Sequence, residues 1–409
     1  MIKISNTSKY ILAEGICITI LSALLMACIV YFRAGALYLS APDSEVYLSI
    51  ADNFLQNGHF IQTARVYEPD MVVAPGLPLI LTIIKWFCNR IYFVIFIQYI
   101  CFGMSCWMLQ CICKSHTNKY LGYFAVLIYI GCLSYGELSS TPSYILTETW
   151  ALIILILCAY IANKLYLEGE RKRTKRIVAL FFLIFMGYLL RPVLLMLYLP
   201  WGVFCLWLLY KKQLPIKAIL GGMLCAIILL SMNTYVNYRE VGEFVVIENY
   251  SAEPLYQANN KNTKLISYGS DIGDQFVDSR YYEIKAKSGL SKTERNAEFK
   301  KATIHYVSNH IFLTIKNTFI KFIKMFVVLW KYMVMVTGVS LIIMIWRHPD
   351  RKFYYLAWFS AYFFIGLATS FGLFIPRYSF LVLPIHVFFN IIFWNELKEL
   401  IIERFKIID

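Results

Sequence analysis

Residues 91–113 read IYFVIFIQYICFGMSCWMLQCIC, 23 positions without one charged side chain, and Lys114 and Lys119 follow directly. A helix needs roughly 20 apolar residues to cross the hydrocarbon core of a bilayer. In lipid the backbone must satisfy its own hydrogen bonds, so such a run reads as a transmembrane helix. Working outward, similar blocks fill residues 11–32, 120–137, 144–166, 176–190, 192–210, 216–235, 325–346, 353–374 and 378–394 of the 409-residue chain. The composition agrees. Hydrophobic residues make up 59% and charged residues 16%, where a soluble domain carries about a quarter charged. A soluble enzyme, a disordered chain and a fibrous protein are excluded. The block at 11–32 lacks a small-residue cleavage site behind it and reads as a retained span rather than a signal peptide.

The net charge of +14 invites a nucleic-acid reading, but its distribution opposes one. Basic residues cluster at the ends of apolar blocks, as orientation by cytoplasmic Lys and Arg requires. The strongest cluster is Arg171, Lys172, Arg173, Lys175 and Arg176, and no zinc-finger, RRM-like or stacking pattern accompanies it. The apolar stretch 75–88 has only 14 residues. Counting it as a crossing would invert every later loop and put the 171–176 cluster outside, so it reads as a re-entrant or interfacial helix. The result is an all-α polytopic membrane protein of about ten spans with both termini inside. Residues 1–235 form an N-terminal membrane module whose first outer loop is 33–74. Residues 236–324 form a large outer loop, and 325–409 the last spans and tail.

This map limits the chemistry. The cytoplasmic loops are short, and no GxxxxGK[ST] or GxGxxG loop is present, so ATP-driven transport and direct use of a nucleotide sugar are disfavoured. The eleven cysteines, Cys17 to Cys225, lie in or beside apolar stretches and behave as small hydrophobes. Cys111 and Cys113 are too close for a CxxC site. A divalent metal finds no ligand set.

The ionisable residues of the two outer loops are the candidates. Asp43 follows Pro42 just before a helix, where it either caps the helix N-terminus or stands at the membrane surface as a general base. Glu148 opens a span, where a charge usually faces a cavity, although snorkelling to water is the bland alternative. Glu14, near the cytoplasmic end of the first span, reads as solvated. Arg191 at an outer turn, and Arg377 with Tyr378 at the start of the last span, run against the positive-inside bias and call for anionic partners. A phosphate suits the bidentate guanidinium; a lipid headgroup or Glu148 would also serve. Ser291-Lys292-Thr293-Glu294 spells a capping box. Lys316, Lys321 and Lys324 then recur on a helix rich in Phe and Ile, the pattern of an interfacial helix touching anionic headgroups.

Taken in order, several motifs resemble the GT-C superfamily of polyprenyl-phosphate-dependent glycosyltransferases. They are Pro42-Asp43-Ser44, Pro75-Gly76-Leu77-Pro78, Leu146-Thr147-Glu148, Leu190-Arg191-Pro192, Asn237-Tyr238-Arg239-Glu240-Val241-Gly242-Glu243-Phe244, the segment 302–321, and Arg377-Tyr378 with Pro384. The branch they look most like is that of protein O-mannosyltransferases and lipid A aminoarabinose transferases. Leu77 departs from the aromatic common there, Asn309-His310 replaces an Asn-Pro, and Glu68 with Asp70 match the second acidic motif loosely. The resemblance implies a GT-C-like fold and an outward-facing site. There Asp43 is the acceptor base and a polyprenyl-phosphate carrier gives up its sugar. On that reading Arg377 and Arg191 hold the donor phosphate, with Glu148, Glu68, Asp70 and Tyr378 in support. The expected product is an inverted glycoside on an envelope glycan, lipid or protein. The expected location is a bacterial cytoplasmic membrane, with no cofactor and no nucleic-acid partner. A repeat-unit polysaccharide polymerase and a lipid or glycan transporter are the rivals. A transporter would show internal repeats and charges near the bilayer midplane.

Overall fold

The computed structural model describes residues 6–66, 68–134, 142–167, 173–263, 277–327, 331–372 and 381–406. Sixteen α-helices account for most of them. They are α1 (Asn6–Ala34), α2 (Pro42–Asn57), α3 (Gly76–Phe87), α4 (Ile91–His116), α5 (Lys119–Leu133), α6 (Thr147–Leu167), α7 (Arg173–Leu190) and α8 (Tyr198–Tyr210). Then come α9 (Ile216–Val241), α10 (Ala252–Ala258), α11 (Ser279–Ala286), α12 (Lys292–Asn309), α13 (Ile311–Val327), α14 (Lys331–Arg347), α15 (Lys352–Phe371) and α16 (Leu383–Lys406). Among the described residues there is no strand, only a single parallel bridge between Leu39 and Tyr144. The chain is an all-α membrane protein.

Among the described residues, five helices are long and apolar enough to cross a bilayer alone: Tyr10–Ala34, Ile91–His116, Thr147–Leu165, Pro192–Tyr210 and Ile216–Val241. The apolar helices Gly76–Phe87, Lys119–Leu133 and Val336–Arg347 are shorter. At 12 residues, α3 is about 18 Å long, well short of a 30 Å hydrocarbon core, in keeping with the re-entrant or interfacial reading of 75–88. The block at 192–210 begins as a 3-10 turn, Pro192–Leu197, before α8. Pro192 has no amide hydrogen to give the ladder, so α7 stops at Leu190 and the chain restarts. The last helix does not end with its apolar block but runs on to Lys406.

The core is one continuous apolar cluster in which α1 packs on α4, α4 on α5 and α6, α6 on α7, and α7 on α9. The window within α6 is 72% buried and that within α9 only 11%, so α6 is central and α9 lies at the edge. A separate small core formed by Ala252, Tyr256, Val277, Tyr281, Ile284 and Phe299 gives the 252–299 segment a body of its own. All eleven cysteines are free thiols. Glu14, read from sequence as solvated, is instead tied down. Its carboxylate accepts from the Tyr123 hydroxyl, from Lys114 Nζ at 3.3 Å and from Gln110 at 3.4 Å, because α4 and α5 bring three donors to that face of α1.

Candidate active site

Asp43 belongs to the first turn of α2, not to its cap. Ala41, extended at φ −134° and ψ 150°, occupies the N-cap, Pro42 follows it, and no side chain caps the helix. The capping reading of Asp43 therefore gives way to another role. Its Oδ1 accepts from Arg65 Nη2 at 3.0 Å, and the side chain is half exposed. Arg65 is placed by a tight turn around Gln62, whose buried amide donates to the carbonyls of Arg65 and Glu68 and accepts from Arg65 N.

From there opposite charges alternate into the large loop. Arg65 Nη1 lies 3.8 Å from Glu68 Oε2, and Lys292 Nζ lies 2.5 Å from Glu68 Oε1 and 3.7 Å from Glu253 Oε2. Lys285 Nζ closes the row, 2.7 Å from Glu253 Oε1. Burial pushes the Glu253 carboxyl up, but Lys285, the Tyr281 hydroxyl and Lys292 outweigh it and hold it below the usual range. Asp70 works differently: its Oδ2 accepts the backbone N–H of Lys292. It thus satisfies one of the amides that the start of α12 leaves open. The capping box read at Ser291 and Glu294 is present beside it. Asn249 fastens the same strip, accepting from Val72 N at 2.8 Å and donating to the Asp70 carbonyl and to Thr293 Oγ1.

The second half of the site comes from the membrane helices. Gln98, fully buried on α4, donates to the carbonyls of Pro142 and Tyr144 and accepts from Trp150 Nε1. That fixes the chain where α6 begins and points Glu148 inward. Glu148 is 3% exposed, which rules out snorkelling, and Arg191 Nη1 lies 3.1 Å from its Oε1. Arg191 sits where α7 ends. Gly76 brings α3 against that end so closely that a Cβ would lie 2.7 Å from the backbone of Leu189 and Leu190, which accounts for the glycine in Pro75-Gly76-Leu77-Pro78. The Asn237–Phe244 motif is the last turn of α9 with its stop signal: Gly242 takes φ 72° and its N–H bonds the Tyr238 carbonyl, a conformation that favours glycine. Arg239 Nη2 donates to the Gly58 carbonyl at 3.2 Å and His59 Nδ1 meets Glu240 Oε2 at 3.0 Å, docking α9 on the end of α2.

Both halves face one cavity of about 490 Å3. Its walls carry five carboxyl groups, Asp43, Glu68, Glu148, Glu248 and Glu253, and four cations, Arg65, Arg191, Lys285 and Lys292. Tyr47 also lines it; burial, then the charges of Asp43, Glu148 and Glu248, push its hydroxyl well up. Glu248, half buried, is held up by desolvation, with Ser251, Tyr250 and Arg191 pulling the other way. A second cavity of about 410 Å3 shares Pro192 and Glu248 with the first. Through Phe244 and Val246 it adjoins an apolar groove of about 570 Å3 beside α9 that carries Tyr235 and Tyr238.

Of the residues singled out from sequence, Asp43, Glu68, Glu148 and Arg191 meet in the main cavity, and Asp70 supports it from behind. Arg377 and Tyr378 lie outside the described residues, as do Arg171 and Lys172. Arg65, Glu248, Glu253, Lys285 and Lys292 escaped the sequence reading; only Lys292 had been touched on, inside the capping box. Lys321 departs from its reading as a headgroup contact: it is 2% exposed and donates to the Ala258 carbonyl at 2.9 Å. Burial lowers it to about 8. Among the described residues no cluster of three or more His, Cys, Asp or Glu side chains is arranged to hold a metal ion. Compared with known proteins, the chain matches no family model, no curated protein and no solved structure.

Proposed function

We propose that the protein is a membrane glycosyltransferase that moves a monosaccharide from a polyprenyl-phosphate carrier to a hydroxyl of an envelope glycan, lipid or protein. In this reading it works on the outer face of a bacterial cytoplasmic membrane. The observation that carries the proposal is the adjacency of the cavities. A charged chamber holding Asp43 and the Glu148–Arg191 pair shares Pro192 and Glu248 with a second cavity, and that cavity shares Phe244 and Val246 with an apolar groove beside the least buried long span. A substrate with an isoprenoid tail and a phosphate-linked sugar has that same division of polarity.

Asp43 takes the proton of the acceptor hydroxyl as its oxygen attacks the anomeric carbon. The bond from that carbon to the phosphate oxygen breaks, and the polyprenyl phosphate leaves with the electron pair. Arg65 occupies Oδ1 of Asp43, and among the described residues Oδ2 has no partner, so it is the oxygen offered to the acceptor. Arg191 meets the negative charge that grows on the departing phosphate, a form of stabilisation worth several kcal/mol in a site shielded from water. One base and one displacement give inversion. In the test, purified full-length protein is given polyprenyl-phosphate hexoses and pentoses, or the matching nucleotide sugars, with envelope extract as acceptor. Sugar transfer from the lipid donor alone is expected. Turnover of a nucleotide sugar without lipid carrier would overturn the proposal.

A further inference from the structure

Glu248 stands in the wall common to the charged chamber and the cavity next to the apolar groove, since it lines both. A donor whose tail lies in the groove and whose sugar lies in the chamber brings its phosphate beside this carboxyl. Arg191, already paired with Glu148, also attracts Glu248, so an ionised Glu248 competes with any phosphate for the same guanidinium. The groups that face Glu248 come from several elements. Tyr47 and Asp43 belong to α2, Glu148 to the start of α6, and Tyr188 and Arg191 to the end of α7. Tyr250 and Ser251 are on its own strip, and Lys300 of α12 lines the adjoining cavity. Among the described residues, five carboxyl groups against four cations make a donor phosphate a sixth negative charge unless one carboxyl is neutral. Glu248 is a carboxyl that burial drives toward its neutral form.

We propose that Glu248 is a proton-operated gate on the phosphate site: protonated, it donates a hydrogen bond to the donor phosphate; ionised, it holds Arg191 and repels the donor. The gate rests on the reading of the chamber as a polyprenyl-phosphate site. It predicts that donor binding takes up a proton, so that affinity falls as pH rises.

The probe is a farnesyl phosphodiester of glucose, whose single charge does not titrate between pH 5.5 and 8.5. Its affinity for the full chain in detergent is measured across that range, with proton uptake from calorimetry in buffers of different ionisation heat. Wild-type affinity is expected to weaken with rising pH, by at most about tenfold per unit, with uptake of up to one proton. Glu248→Gln, permanently neutral and able to donate, is expected to bind the probe at all pH values as tightly as wild type does at low pH, with no proton uptake. A pH-independent wild type, an E248Q variant that keeps the wild-type slope, or a folded E248Q variant that no longer binds would each overturn the gate. Should E248Q not fold, absence of proton uptake by wild type alone overturns it. Failure of wild type to bind the probe at any pH instead removes the phosphate-site reading beneath it, and an Arg191→Met variant that binds normally does the same.

Discussion

Replacing Gly76 by Ala puts a methyl carbon 2.7 Å from the Leu189 carbonyl carbon and oxygen and the Leu190 nitrogen. These are backbone atoms at the end of α7, so no side-chain rotation can relieve the clash. Carbon contacts settle near 3.5–4.0 Å, so α3 must withdraw from α7 by about 1 Å. Overpacking of this kind costs about 1–3 kcal/mol, which translates into a fall in Tm of roughly 2–6 °C. The displacement also reaches the site, because Arg191 follows Leu190 and the rim residues Val73 and Ala74 precede α3. Gly131→Ala is the control. It lies within α5 with no heavy atom within 4 Å of the added carbon, and Ala in a helix is favoured over Gly by up to about 1 kcal/mol. Thermal unfolding of the detergent-solubilised full chain, with probe affinity measured on the folded fraction, reads both variants. Gly76→Ala should lower Tm and weaken the probe, and Gly131→Ala should leave Tm unchanged or raise it. A Gly76→Ala protein with wild-type Tm and affinity would refute the close approach of α3 to α7.

Three further outcomes are expected. Glu148→Gln takes from Arg191, whose side chain is 15% exposed, the carboxylate 3.1 Å from its Nη1 and should cost about 3–5 kcal/mol. The Glu148→Gln/Arg191→Met double variant should recover most of that in the same unfolding assay. Asp43→Asn should leave protein level and Tm near wild type while lowering the transfer rate by about 10²–10⁴; near-normal turnover would displace Asp43 from the base role. Lys321→Met removes a buried amine lowered to about 8 from its ordinary 10.5. Below about 8 the wild-type fold must bury the charge. As pH rises from 8 to 10.5 the unfolded chain gives up its excess proton, so wild type gains stability through that window. The variant's advantage over wild type, less about 1 kcal/mol for the lost bond to Ala258, should be largest near neutral pH and shrink toward pH 10.5.

Length and apolarity sufficed to find the five long apolar helices, because a membrane span is specified locally by its own residues. The capping box at Ser291 was equally local. Glu148 and Arg191 were legible one by one, since each breaks a compositional rule of membrane segments, and Glu148 stood among the partners open to Arg191; the choice among those partners depends on how α6 packs on α7. The row from Asp43 to Lys285 was hidden for a plainer reason. Arg65 is 22 residues from Asp43 and Lys292 is 224 from Glu68, and no spacing rule reaches across such distances. Helical periodicity placed Lys321 on a face but could not say whether lipid or protein covers that face. The capping alternative for Asp43 fails because Pro42 beside it sets the helix start two residues earlier, with Ala41 at the cap.

The bond between Asp70 and Lys292 spans 222 residues, and Asn249 and Lys292 are the clasps that give residues 68–72 their shape. During synthesis those clasps emerge only after α9 has been laid down. Until then Glu68 has neither Lys292 nor the 249–252 strip to hold it, and the chamber has no far wall. The order of manufacture therefore keeps the site unassembled while the membrane helices are still being inserted. A nascent chain halted before residue 249 would carry Asp43, Glu148 and Arg191 but none of Glu253, Lys285 and Lys292. Folding of the residues around Tyr256, Tyr281 and Phe299 is thus the event that gives an inserted bundle its finished chamber.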